Sequence, residues 1–279
     1  MLNAASLSTA RTQTERRLGY LEWLFWLSEQ VVSSNFVLVA EVSGVLTPEL
    51  VRGALGIVQA RHPLLRVAIR RGRGSAAFFC DTGVPGIPLR VVHAAKEAWP
   101  VEAERDREQT FALDHGPLAR CTLLRHADEH NTLLLTVSHI IADGAAGYAL
   151  VGQVLEAAAA LSVGRHLEGR RSRLTGPIED FLPAATQGWS GVRRHLKANI
   201  EECANRWRHG PDQLPPWPTS ASIAECRTRV LARQLDEAGT DRLIQRIGKE
   251  RASLQGALAA AQLLARSARC AVRTLGEIA

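Results

Sequence analysis

Hydrophobic and polar positions follow two different periods along this chain, and the switches between them outline its elements. Residues 34–44, Ser-Asn-Phe-Val-Leu-Val-Ala-Glu-Val-Ser-Gly, are rich in β-branched residues and bounded by turn formers, which predicts a strand. Thr47-Pro48-Glu49 then supplies a helix start with proline at the first position. Leu50, Val51, Ala54, Leu55 and Val58 recur at helical spacing until His62-Pro63 closes the run. Short apolar stretches predict strands over 65–71, 76–80 and 87–93, and the charged stretch 99–111 predicts a helix. Strands over 118–127 and 132–138, parted by the polar tip 128–131, predict an antiparallel hairpin. Residues 145–161 return to helical spacing, with Leu150, Val151, Val154, Leu155 and Ala158 on one face.

Beyond residue 164 the character changes. Residues 164–218 are basic and broken by Pro177, Pro183, Pro211, Pro215, Pro216 and Pro218, with one helix expected over 191–208. Residues 226–235 alternate like a strand, and 236–251 and 253–268 have helical spacing. The expected organisation is therefore a first subdomain over 1–161, a basic connector over 162–225, and the start of a second subdomain over 226–279. Hairpins beside helices imply an α+β or layered sandwich fold rather than a doubly wound parallel sheet. Neither a dinucleotide-binding glycine pattern nor a phosphate-binding loop occurs in the sequence.

Composition narrows the function classes. With 46% apolar and 22% charged residues, the 279-residue chain needs no staples to fold. Cys80, Cys121, Cys203, Cys226 and Cys270 are scattered and odd in number, so neither a disulfide framework nor a metal site is indicated. Buried free thiols in a reducing cytoplasm are the expectation. Residues 1–15 lack the order of a signal peptide, and no apolar run approaches the ~20 residues of a membrane span. Most of the net charge of +6 lies in 162–233, with twelve Lys/Arg against seven Asp/Glu. No stacking platform accompanies it, so this is read as a solvated connector rather than a nucleic-acid surface. Trp189, Trp207 and Trp217 are read as packing residues or connector anchors.

The chemistry centres on residues 138–144, Ser-His-Ile-Ile-Ala-Asp-Gly, straight after an apolar run. A lone histidine ending a strand is more often a satisfied polar group than a base. Two earlier stretches change that weighing: Arg61-His62-Pro63-Leu64-Leu65-Arg66 and 111–120, Phe-Ala-Leu-Asp-His-Gly-Pro-Leu-Ala-Arg. Together and in this order they resemble the motifs of the chloramphenicol-acetyltransferase-like superfamily, which includes condensation domains. Arg16-Arg17-Leu18-Gly19-Tyr20-Leu21-Glu22 and residues 228–264 are most similar to its polyketide-associated branch, the phthiocerol dimycocerosyl transferase-like acyltransferases.

The resemblance implies a layered fold of two similar halves with a substrate tunnel between them. This chain would supply the first half and part of the second. It further implies transfer of an acyl group from a CoA or carrier-protein thioester to an alcohol or amine in natural-product or lipid biosynthesis. No bound cofactor or metal would be needed. His139 would be the general base, for which an unperturbed pKa of about 6.5 is well suited. In the family the aspartate is mainly structural, so Asp143 would pair with an arginine, Arg17, Arg66 or Arg120, and Gly144 would take a conformation closed to other residues. Arg66 and Arg120 are read as structural ion pairs. Ser138 is excluded as a partner nucleophile because adjacent strand residues point to opposite faces. The alternative is a non-catalytic remnant or interaction module of the same fold. An apolar helix face over 253–268 would in either case favour self-association or a complementing chain.

Overall fold

The computed structural model describes residues 15–183 and 227–276, apart from positions 75, 127–129, 166, 168 and 170, together with scattered positions between 186 and 208. Of residues 266–276 it describes the backbone alone. Two units emerge, one from the described residues up to 183 with 227–230, the other from those between 186 and 208 with 231 onward.

In chain order the first unit holds β1 (Glu15–Arg17), α1 (Tyr20–Ser28), β2 (Asn35–Ser43), α2 (Pro48–Arg61), β3 (Ala68–Arg71), β4 (Ala77–Cys80), β5 (Leu89–His93), α3 (Trp99–Glu108), β6 (Ala119–Arg125), β7 (His130–Ser138) and α4 (Gly144–Ser162). The main sheet runs β2-β7-β6-β5, and a small one runs β1-β4-β3. β6 and β7 form the expected antiparallel hairpin. β2 pairs antiparallel with β7 along its whole length, and β5 is parallel to β6.

Both faces of the main sheet are covered. Leu123, Leu133, Leu135 and Val137 pack against Val51, Leu55 and Val58 of α2 and Leu150, Val151 and Val154 of α4. The intervening residues Leu124 and Leu134 point the other way, onto Ala103 and Trp99 of α3. Two-sided cover explains why these strands read as continuous apolar runs rather than as alternation. α4 is long and apolar enough to cross a membrane by length and composition, contrary to the sequence-based expectation. Its apolar side lies in the core.

Two motif arginines close helix ends. Arg66, buried, donates to the Gln59 carbonyl at 3.2 Å, to the Ala60 carbonyl, and to the Ser172 carbonyl at 2.8 Å. Arg120 donates to the Asp106 carbonyl at 2.6 Å, to the Gln109 carbonyl, and to the Thr110 carbonyl at 3.4 Å, and lies 4.2 Å over the Phe111 ring. Each guanidinium thus meets carbonyls left unpaired at a helix C-terminus, where the macrodipole is negative. Burial pushes both groups below their ordinary pKa. They are structural, as expected, but they clamp carbonyls rather than form ion pairs. The ion pair of this region is Arg90 with Glu102 (2.5 Å) and buried Asp106 (3.2 Å).

Other expectations change. Residues 63–66 form a 3-10 turn, so the strand expected from 65 begins at Ala68. Residues 227–235 form no strand. The N–H groups of Thr228 and Val230 go to the carboxylates of Glu108 (3.2 Å) and Glu104 (2.8 Å) instead of to a neighbouring strand. In the second unit, α5 (Glu237–Lys249) is capped by Asp236, and α6 (Leu254–Gly276) runs beyond its expected end. α6 leaves Leu254, Leu258 and Leu264 exposed. The helix expected over 191–208 lies largely outside the described residues. Cys80 and Cys121 are buried, and burial pushes the Cys121 thiol far up, but Cys203 is exposed. Cys226 and the Cys270 side chain lie outside the described residues. Trp207 is 91% exposed and packs no core, while Trp189 and Trp217 lie outside the described residues.

Arg120→Ala removes the clamp on α3 and takes its charged donor from the carbonyls of Asp106, Gln109 and Thr110. A loss of about 2–3 kcal/mol is expected, measured by urea unfolding. Arg120→Lys should restore little of it, because a lysine lacks the planar fork of donors.

Candidate active site

The three sequence motifs converge on the turn after β7. Gly116 has φ +63°, and a Cβ there would lie 2.5 Å from the Val67 carbonyl oxygen, so only glycine allows this approach. Ile69 N–H donates to the Leu113 carbonyl at 2.6 Å, and Ser138 N–H donates to the Leu118 carbonyl at 3.0 Å. His62 Nε2 lies 2.7 Å from Gln153 Oε1, joining the end of α2 to α4. A pocket of about 300 Å³ between Pro63, Leu64, Ile141, Ala142 and Ala146 marks the back of the same turn.

Within the turn the residues divide sharply. Ser138 is fully buried, and its hydroxyl accepts from Ile140 N–H at 3.3 Å. Ile140 and Ile141 are also buried. His139 turns, half-buried, into a cavity of about 370 Å³ shared with Phe36, Trp99, Ala103, Arg107 and Val230. Its ring is stacked on Phe25 at 5.4 Å and 14°, and meets Phe36 at 4.5 Å and 39°. Among the described residues neither ring nitrogen has a hydrogen-bond partner. Aromatic packing, not a carboxylate, holds this imidazole.

The sequence missed what holds the two phenylalanines. Phe25 lies on α1 and Phe36 on β2. Glu29, 9% exposed, joins these elements by accepting from Ser34 N–H (2.8 Å) and Ser34 Oγ (2.5 Å). Arg16 supports the other end of α1 through two 2.7 Å bonds to Glu22, which also accepts from Gly19 N–H at 2.7 Å. Gly147 brings α4 against β2: a Cβ there would lie 2.6 Å from Leu38 Cδ1 and 2.7 Å from Phe36 Cε2. Residues 20–28 carry no helical signal because they are apolar on nearly every side. Glu29 and Gly147 are visible only once the fold brings their partners together.

Asp143 and Gly144 differ from expectation. Asp143 is exposed, and its Oδ1 accepts from Ala146 N–H at 2.8 Å as the N-cap of α4. Among the described residues it makes no ion pair, and Arg66 and Arg120 are committed to carbonyls. Gly144 opens α4 without positive φ, and a Cβ there would meet nothing within 4 Å. The glycine of this segment with close neighbours is Gly147, against Phe36 and Leu38.

Asparagine caps helices as well as aspartate does, so Asp143→Asn should leave stability within a few tenths of a kcal/mol, whereas Asp143→Ala should cost about 1 kcal/mol. Chemical denaturation of both variants reads the difference. Gly147→Ala must displace Phe36 and Leu38. A cost of about 1–3 kcal/mol is expected, together with shifted imidazole resonances of His139 in NMR spectra. Unmoved resonances would show that Phe36 does not position the ring.

Comparison with known proteins bears on the fold. Residues 23–173 match the family described as Condensation domain. Chondramide synthase cmdD of Chondromyces crocatus is 30% identical over 139 residues, covering 48% of this chain and 4% of that protein. Phosphinothricin tripeptide synthetase PhsC of Streptomyces viridochromogenes is 28% identical over 137 residues, covering 46% of this chain and 13% of that protein. The chain thus spans only a small part of the curated relatives it matches. A solved structure of a mutant starter condensation domain of rhizomide synthetase RzmA, in complex with C8-CoA and Leu-SNAC, superposes with a TM-score of 0.52. Its identity is 24%, over 69% of this chain and 46% of that one. The layered α+β fold is therefore the one expected. The names of these two relatives, a synthase and a tripeptide synthetase, do not show the polyketide-associated branch.

Proposed function

The chain belongs to the condensation-domain family, of the chloramphenicol-acetyltransferase-like superfamily, and we propose that it catalyses acyl transfer from a thioester to an amine, with His139 as general base. The observation that carries this reading is the state of His139. Its ring faces a cavity between two phenylalanines, with both nitrogens unclaimed among the described residues. A base of this kind removes the acceptor's proton as its nitrogen attacks the thioester carbonyl, and the proton passes on to the leaving thiolate. General-base help of this type is worth roughly 10²–10⁴-fold in rate.

The donor is an acyl group on CoA or on the phosphopantetheine arm of a carrier protein, with no bound cofactor. C8-CoA in the rhizomide starter domain supports the former source. An amine acceptor is favoured over an alcohol, because a named relative is a tripeptide synthetase. The reading carries with it a cytoplasmic setting, where the buried thiols Cys80 and Cys121 stay reduced.

The test is acyl transfer from octanoyl-CoA to an aminoacyl N-acetylcysteamine thioester and to a matched alcohol, followed by mass spectrometry. Amide product is expected, falling by at least about a hundredfold in His139→Ala with the circular dichroism spectrum unchanged. Equal turnover in the folded variant would remove His139 from the mechanism. A folded wild-type chain that forms no product would favour the non-catalytic interaction module instead.

A further inference from the structure

The cavity at His139 has polarity. Trp99, Ala103 and Arg107 stand four residues apart on α3, about 6 Å of rise per step, and all three line it. Ser33 Oγ donates to the Arg107 carbonyl at 3.3 Å, and Asn35 Nδ2 to the Gln109 carbonyl at 2.9 Å. Asn35 lies opposite Ser138 in the β2 and β7 pairing, so this end of α3 is the His139 end. Trp99 stands two turns away. The other walls there are apolar, Val37, Val39, Ala103 and Val230, and among the described residues no carboxylate lines the cavity.

Arg107 is half-buried, and its guanidinium has no hydrogen-bond or ion-pair partner among the described residues. Its acidic neighbours on α3 are engaged elsewhere. Glu104 accepts from Val230 N–H at 2.8 Å and from Arg229 at 2.7 Å, and Glu108 accepts from Thr228 N–H at 3.2 Å. The segment 228–230 thus engages these carboxylates and leaves Arg107 as the arginine or lysine that lines the cavity among the described residues.

Resting on the acyl-transfer reading above, we propose that the acyl group delivered to His139 carries a carboxylate, which Arg107 binds. A planar guanidinium and a carboxylate pair through two parallel hydrogen bonds, and such a pair gains strength beside apolar walls. The phosphate of a phosphopantetheine donor is the other anion of matching chemistry. It lies a whole pantetheine arm from the thioester, whereas Arg107 shares a single cavity of about 370 Å³ with the reacting histidine.

The experiment measures binding, so it does not depend on turnover. Glutaryl N-acetylcysteamine thioester, which has no phosphate, and its methyl ester are titrated calorimetrically into the whole chain and into Arg107→Gln and Arg107→Glu. The carboxylate form is expected to bind the wild type at least about tenfold more tightly, as one charge-assisted contact provides. Arg107→Gln should erase the preference and Arg107→Glu reverse it. Equal affinities, a preference that survives Arg107→Gln, or no binding of either ligand would overturn the proposal. An Arg107-dependent gain seen only with CoA thioesters, whatever the acyl group, would also overturn it, by assigning the arginine to the donor's phosphate. The two readings fail separately. His139-dependent transfer of a neutral acyl group without any charge preference sinks this inference alone. A charge preference beside transfer that ignores His139→Ala sinks the general base alone.

Discussion

The surroundings of His139 depend on the register between β2 and β7. Nine residue pairs run from Asn35 opposite Ser138 to Ser43 opposite His130. That pairing brings Ser34 and Phe36 to the level of the turn that carries the histidine. It also sorts β2 by face: Phe36 toward α4, Val37 and Val39 toward α3. A slip of one residue would exchange these faces, turning Phe36 away from the imidazole and a valine toward it. Burial of both sheet faces makes such a slip costly. The site is therefore fixed by the same apolar contacts that fix the core, and needs no loop of its own.

The helices that wall the site are held by a different force. α2 and α3 both end beneath the guanidinium of a motif arginine, Arg66 and Arg120 respectively. Carbonyls at a helix C-terminus have no intrahelical donor, and an arginine can serve several of them at once. The placement of α3 matters most, because its face carries Trp99, Ala103 and Arg107 into the cavity. Arg120, Asn35 and Ser33 all bond to carbonyls near its C-terminus. A residue from β6, the first residue of β2 and one just before it thus set how close α3 stands to His139.

Much of this was legible in the sequence, for a definite reason. Long elements with two-residue or helical period, β2, α2, the β6–β7 hairpin and α4, announced themselves because burial on a fixed face imposes the period. Three motifs in order pointed to the turn at 138–144, and the structure brings them together: Leu118 bonds to Ser138, Pro63 and Leu64 share a pocket with Ile141 and Ala142, and Leu113 and Gly116 meet Ile69 and Val67 just past the first motif. What stayed hidden depends on partners distant in the chain. Residues 226–235 alternate like a strand, yet the N–H groups of Thr228 and Val230 find carboxylates of α3 more than a hundred positions away. Asp143 could have been a cap or a salt-bridge partner, and local spacing does not separate the two. Gly144 is prominent in the motif but conformationally ordinary, while Gly147, unremarked in the pattern, meets Phe36 and Leu38.

The resulting site assigns orientation and chemistry to different residues. In many sites a histidine base is oriented by a hydrogen bond from one ring nitrogen to an acid, which also decides where the proton sits. Here the ring plane is set by Phe25 and Phe36, and neither nitrogen is tied to a described residue. Stacking restricts tilt but lets the ring move within its own plane, and it leaves the choice of tautomer open. If His139 is the base proposed above, an acceptor's N–H would have to meet the unprotonated nitrogen, and the bound acceptor, rather than the protein, would select the reactive tautomer. Aspartate in this turn is accordingly free to serve the helix alone. That is where the structure puts Asp143, facing solvent and capping α4.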